Sequence, residues 1–178
     1  CDWSSDVCSS DLPAMTREQA ERAILTGIAL VGEKVAAGYN LIITGEMGIG
    51  NTTTSSAVFS VLQQLPPEQV TGRGAGLSGA GLRHKVEVIE KAIALHQPDR
   101  NDVLDVLSKV GGLDICGMAG AFLGGAVYHV PVLIDGFISA VAANCAVRLV
   151  PLCRQYLFAS HCSREPAGRS EEHTSELQ

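Results

Sequence analysis

The sequence predicts an α/β fold, a Rossmann-like parallel sheet flanked by helices. Three observations carry this. Two short β-branched runs, "LIIT" (41–44) and "PVLID" (131–135), are separated by segments of helical period. Each run ends where a glycine adjoins an acid, Gly45-Glu46 after the first and Asp135-Gly136 at the second. A helical pattern follows each of those turns, and strand, turn, helix is the unit from which parallel sheets are built.

The elements follow in order. Thr16 and Gln19 form a capping box that opens a helix over 16–38, with an apolar stripe of Ala20, Ala23, Ile24, Ile28 and Val31. Gly38 and Asn40 supply its stop. The run Leu41–Thr44 suits a strand buried on both faces. After the glycine turn, "TTTSSAVFSVLQQL" reads as a helix ending before Pro66-Pro67. "LRHKVEVIEKAIALHQ" is amphipathic through Val86, Ile89, Ile93 and His96 and stops before Pro98. "NDVLDVLSKV" begins at an asparagine cap, Asn101, and Gly111-Gly112 end it. "DICGMAGAFLGGAVYH" is apolar and rich in small residues, as a helix packed closely on a sheet would be. Pro131–Asp135 is the second buried strand, followed by the helix "FISAVAANCAVRLV". There is no internal repeat and no low-complexity stretch.

The two ends of the chain are expected to have a different origin from its middle. "RSEEHTSELQ" (169–178) can be encoded by AGATCGGAAGAGCACACGTCTGAACTCCAG. The reverse complement of that DNA, read from its second base, encodes "WSSDVCSSDL", which is residues 3–12. Unrelated protein termini have no reason to share opposite strands of one DNA segment. The segment resembles a sequencing adapter, so residues 1–12 and 169–178 are expected to be translated artefact and 13–168 the protein domain. The formal net charge of −6 then shrinks to about −1, because the flanks hold six of the 19 acidic residues and one of the 13 basic ones. A near-neutral domain lacks the basic field that nucleic-acid or membrane-surface binding requires. Cys116, Cys145, Cys153 and Cys162 fit neither a zinc pair nor a disulfide framework, and read as free thiols in a reducing cytoplasm. No run approaches the ~18 apolar residues of a membrane span.

Ligands of open parallel sheets bind beyond the carboxyl ends of the strands, which directs attention to "TGEMGIGNTTT" (44–54). Gly45, Gly50 and Thr52 have the spacing of a nucleoside-triphosphate loop, yet position 51 is asparagine where that loop needs lysine. Gly48, Ile49, Gly50 and the amides of Asn51 and Thr52 would form a backbone nest at a helix N-terminus, suited to one phosphate. The same residues would serve equally as a tight turn with an Asn/Thr cap that needs no ligand. A second glycine-rich loop, "TGRGAGLSGAGLRHK" (71–85), brings Lys85 toward the cleft, where it reads either as a phosphate partner or as a solvated lysine. His84, His96, His129 and His161 show no metal-ligand spacing.

"GEMGIGNTTTSSAV", "GRGAGL", "HKVEVIEKAI", "DVLSKVGGLDICGMAGAFLGGA" and "PVLIDGFISAVAA", in that order and spacing, resemble the central part of nicotinate-nucleotide:dimethylbenzimidazole phosphoribosyltransferases. The resemblance covers nearly all of 16–163. It implies transfer of a 5-phosphoribosyl group from nicotinate mononucleotide to a benzimidazole base, giving α-ribazole 5′-phosphate and nicotinate, a step of cobalamin lower-ligand synthesis. It implies no metal and no other cofactor, a cytoplasmic homodimer, and a mononucleotide whose single phosphate explains a loop without lysine. By resemblance Glu46 lies at the substrate cleft beside Gly48, Lys85 serves the phosphate, and Asp135 and Gly136 line the nucleotide site. Glu46 is the catalytic candidate, because displacement at the anomeric carbon builds positive charge that a carboxylate stabilises. The glutamate that acts as general base in the family belongs to a later segment, so the resemblance implies that this chain is an incomplete domain, an inactive central fragment. The alternatives are a mononucleotide-binding module without catalysis and a P-loop-like NTPase, which ATP–magnesium binding would distinguish.

Overall fold

The computed structural model describes residues 12–74 and 76–161; Cys162 and nearly all of the segments expected to be adapter-derived lie outside them. Seven α-helices and three strands follow one another among the described residues: α1 (Arg17–Ala36), β1 (Ile42–Ile43), α2 (Thr52–Gln63), α3 (Pro67–Val70), α4 (Gly79–His96), α5 (Val103–Val110), α6 (Leu113–Tyr128), β2 (Val132–Ile134), α7 (Gly136–Leu149) and β3 (Leu157–Ala159). A 3-10 turn, Pro151–Tyr156, leads into β3. The sheet is wholly parallel, in the order β1-β2-β3, with Ile42 opposite Val132 and Val132 opposite Leu157. This is a partial α/β domain in which helices outweigh a small sheet. Neither α3 nor β3 is anticipated by the sequence; a turn and three residues are too short to show a period.

Local chemistry explains most boundaries. The capping box is formed: the Thr16 hydroxyl accepts from the Gln19 amide at 3.2 Å, and the Gln19 side chain accepts from the Thr16 amide at 2.8 Å. On α4 the Ser78 hydroxyl accepts from the Gly81 amide. Its buried stripe is Lys85, Val88, Ile89 and Ala92, so Val86 falls beside the stripe and half-buried. The cap of α5 is Asp102, one residue later than expected. Its Oδ1 accepts from the amides of Leu104 and Asp105, while the Asn101 side chain turns back to Asp99.

Asp102 also accepts from Arg17 Nη1 at 2.6 Å, which ties the start of α1 to the start of α5. That hydrogen bond, helped by the cap amides, holds the Asp102 carboxyl below its ordinary pKa. A depressed carboxyl stabilises the fold above its unfolded pKa and loses that contribution as pH falls through its lower folded value. Asp102→Asn should therefore lower the melting temperature at neutral pH. The gap to wild type should close as the pH drops through the acidic side of the aspartate range. A gap independent of pH would show that the charge of Asp102 contributes nothing.

Two expectations about packing are corrected. The strand at 41–44 is not buried on both faces: β1 lies at the sheet edge, and Ile43 is 64% exposed. The small-residue helix α6 packs chiefly on α1, with only its C-terminal end against the sheet. A Cβ at Gly120 would come within 2.0 Å of the Ile24 carbonyl oxygen, and one at Gly27 within 2.1 Å of the Gly117 oxygen. Gly125 alone faces a strand, its Cβ position 2.5 Å from Val132. Small residues permit close approach of two helices as readily as of a helix and a sheet. The core beneath is continuous, with Phe122, Ile115, Val132 and Val141 essentially inaccessible.

Cys116, Cys145 and Cys153 are free and buried. Desolvation raises the Cys116 and Cys145 thiols to about 12 and Cys153 to about 11, so all three stay protonated at neutral pH. Among the described residues no helix is long and apolar enough to cross a membrane.

Candidate functional site

The carboxyl ends of β1 and β2 lie side by side, and two hydroxyls hold them there. Thr44 Oγ1 donates to the Leu133 carbonyl at 3.0 Å, so it accepts from Ser139 Oγ at 2.5 Å. Ser139 Oγ in turn accepts from the Asp135 amide at 3.1 Å. Each proton has one acceptor, and the pair is buried, as polar groups inside a fold must be when satisfied. The turns that follow are in contact: a Cβ at Gly45 would lie 3.2 Å from Asp135 Oδ2.

From this edge the chain passes through Glu46 into the glycine loop. Gly48 and Gly50 have φ of +80° and +86°, left-handed conformations that explain glycine at both positions. The expected nest differs in one respect. The Gly48 amide donates to the Glu46 carboxylate, so it is engaged within the loop. Ile49 projects outward and is exposed. The free donors lie one turn later, where the amides of Thr52, Thr53 and Thr54 have no carbonyl partner among the described residues. Such orphan amides at a helix start carry partial positive charge. Asn51 does not cap α2 with its side chain; its Nδ2 donates to Asp114 Oδ2 at 2.7 Å.

Lys85 is buried, with 6% of its surface exposed, so a solvated lysine is excluded. Its Nζ lies 2.9 Å from Thr52 Oγ1 and 3.2 Å from the Gly72 carbonyl. The ammonium thus sits between the second glycine loop and the first turn of α2, within 3.8 Å of a Cβ built on Gly74. Gly136, with φ of +73°, opens α7 into free space beside Asp135. Asp135 also meets His161, Oδ1 to Nδ1 at 3.6 Å, just past the end of β3.

The structure therefore joins Glu46 to Gly48 within the loop and Thr52 to Lys85 at its end, with Gly50 and Asn51 between them, and brings Gly45, the residue before Glu46, to the Asp135-Gly136 turn. Sequence reasoning missed Asp114, Ser139 and His161. The signal for Asp114 is an acid in the first turn of a helix after Gly111-Gly112, a motif that announces no partner by itself. Glu46 and Asp114 line one end of a cleft of about 910 Å³ whose apolar body includes Leu30, Tyr39 and Met118. Another cavity, of about 740 Å³, lies at the far end of α2 beside Pro66 and Pro67 and holds none of the predicted residues. Among the described residues no cluster of three or more His, Cys, Asp or Glu could hold a metal.

Comparison with known proteins gives this arrangement its kin. A phosphoribosyltransferase family model matches residues 7–173, a span that reaches into both segments expected to be adapter-derived. The nicotinate-nucleotide–dimethylbenzimidazole phosphoribosyltransferase of Acetivibrio thermocellus is 55% identical over 157 residues, covering 88% of this chain and 45% of its own length. That of Halalkalibacterium halodurans is 54% identical over 154 residues, 86% of this chain and 43% of its own. The crystal structure of CobT from Thermus thermophilus superposes with a TM-score of 0.84 at 40% identity, covering 93% of this chain and 49% of that one. The chain thus spans under half the length of the curated relatives it matches. With matches of this extent, the chain belongs to the phosphoribosyltransferase family to which these enzymes belong.

Proposed function

We propose that this chain is the nucleotide-binding centre of an enzyme that moves the 5-phosphoribosyl group of nicotinate mononucleotide to dimethylbenzimidazole. The observation that carries the reading is the buried Lys85 ammonium at the first turn of α2, beside two glycine loops. One phosphate would be met there by the Thr52–Thr54 amides and the Lys85 cation, a site for a monophosphate. Glu46, at the end of β1, would face the ribose. There it stabilises positive charge as the bond from the anomeric carbon to the nicotinate nitrogen breaks and the bond to the benzimidazole nitrogen forms. Asp135 and Gly136 would close the other side of the nucleotide. The proton leaving the benzimidazole goes to a base that the resemblance places in a later segment, and the working enzyme would be a homodimer of the longer chain.

Calorimetric titration of the 178-residue chain with nicotinate mononucleotide should give saturable binding that inorganic phosphate competes away. Dimethylbenzimidazole added to that complex should yield no α-ribazole phosphate by chromatography, since general base catalysis alone typically supplies ~10²–10⁴-fold. Preferential binding of ATP with magnesium would overturn the reading in favour of an NTPase. Turnover would move the acceptor base inside this chain, with Glu46 the first residue to test.

A further inference from the structure

We propose that Asp114 is a positioning residue for the nucleotide loop: its carboxylate anchors Asn51 and thereby aims the first-turn amides of α2. The inference rests on the reading above for the identity of the ligand, and on geometry alone for the anchor. Asn51 is held from two directions. Its side-chain Nδ2 donates to Asp114 Oδ2 at 2.7 Å, across 63 residues of sequence. Its backbone carbonyl accepts from the Ser55 amide at 3.1 Å, from Thr54 Oγ1 at 2.9 Å and from Ser55 Oγ at 3.0 Å. Asn51 is thus the residue through which α6 grips the start of α2. A residue whose side chain and carbonyl are both fixed leaves its own amide, and those of the next turn, little freedom.

The anchor is itself held. Asp114 stands in the first turn of α6, where the helix dipole favours a carboxylate. Its Oδ1 folds over Gly112, where an added Cβ would lie only 2.3 Å away. Gly112 has φ of −156°, which any residue adopts, so what a side chain there would disturb is the position of the Asp114 carboxylate and not the backbone. Asn51 Oδ1 is buried and has no hydrogen-bond partner among the described residues, so the side-chain amide is secured by the Asp114 contact alone. Thr52, next in sequence, is secured independently by Lys85 from α4. The loop is therefore clamped by α6 through Asp114 and by α4 through Lys85, with the ligand-facing amides between the two clamps.

Anchoring and charge separate cleanly by substitution. Asparagine at position 114 keeps an oxygen acceptor for Asn51 Nδ2 and removes the charge; alanine removes both. Two readouts are needed: nicotinate mononucleotide affinity by calorimetry, and the side-chain amide resonance of Asn51 with hydrogen exchange at Thr52–Thr54 in the ligand-free chain. Asp114→Ala should weaken binding at least about tenfold, release the Asn51 side chain and speed exchange, whereas Asp114→Asn should stay within about threefold of wild type on all counts. Gly112→Ala, whose Cβ would push the carboxylate aside while leaving residue 114 unchanged, should copy Asp114→Ala and serves if that variant fails to fold. Equal loss in Asp114→Asn and Asp114→Ala would overturn the proposal in favour of the charge; no change in Asp114→Ala would overturn it outright. If wild type binds no nucleotide, the functional reading falls. The anchor is then judged by the ligand-free readout, where loss in Asp114→Ala with retention in Asp114→Asn upholds it and any other pattern overturns it.

Discussion

Replacing Lys85 with alanine should weaken nicotinate mononucleotide binding by at least about tenfold. A charge-assisted hydrogen bond contributes roughly 1.5–3 kcal/mol, and 1.4 kcal/mol is one decade of affinity. The position argues for the upper part of that range. Lys85 is nearly inaccessible, so its interaction with an anion would be poorly screened by solvent. Alanine also leaves Thr52 Oγ1 and the Gly72 carbonyl without the Lys85 donor and removes three carbons of a buried four-carbon stem. The fold is therefore weakened along with the site. Lys85→Met separates the two effects: most of the stem is kept, the cation is lost. Methionine should recover much of the melting temperature that alanine loses and none of the nucleotide affinity. Unchanged affinity in the methionine variant would remove Lys85 from the site, whatever happened to stability.

The parts of this site legible in the sequence are those whose chemistry is local. Gly48 and Gly50 stand where the backbone takes positive φ, and their spacing ahead of Thr52 marks the start of α2 without reference to the rest of the chain. The Asp135-Gly136 turn is legible for the same reason. Asp114 is not, because its meaning lies in a contact with a residue 63 positions away. Lys85 is an intermediate case. It falls on the stripe of Val88, Ile89 and Ala92, so its burial is implicit in the helical period once that stripe, and not Val86, is taken as the inner face. The strand at 41–44 misleads because β-branched composition reports strand propensity and not position in the sheet, and an edge strand has the same letters as a central one. The family resemblance supplies roles that spacing cannot, since a glycine loop before a helix is equally a ligand cradle and a plain turn.

The largest stability effect is expected far from any polar contact, at Gly120. In an isolated helix, Gly→Ala in an interior turn would gain about 0.8–1 kcal/mol. Here the new Cβ would sit 2.0 Å from the Ile24 carbonyl oxygen and within 2.9 Å of the Ile24 Cα. Those atoms are backbone, so no rotamer change relieves the clash, and α1 must move off α6. Gly27 makes the reciprocal approach to Gly117 and Ala121, so the displacement opens the crossing along its length. Overpacking costs about 1–3 kcal/mol where side chains can yield and more where they cannot. A net loss of at least ~2 kcal/mol should therefore outweigh the helix gain, lowering the melting temperature by roughly 4–8 °C for a chain of this size. Gly117, one turn earlier on α6, provides the control: nothing lies within 4 Å of its Cβ position, so Gly117→Ala should be neutral or slightly stabilising. The same crossing supports the cleft, since Gly27, Gly117 and Ala121 line it together with Asp114. Gly120→Ala should therefore weaken nucleotide binding as well, through displacement of the helix that carries the Asn51 anchor. A Gly120→Ala protein that melts at or above the wild-type temperature would show that α1 and α6 do not pack backbone to backbone.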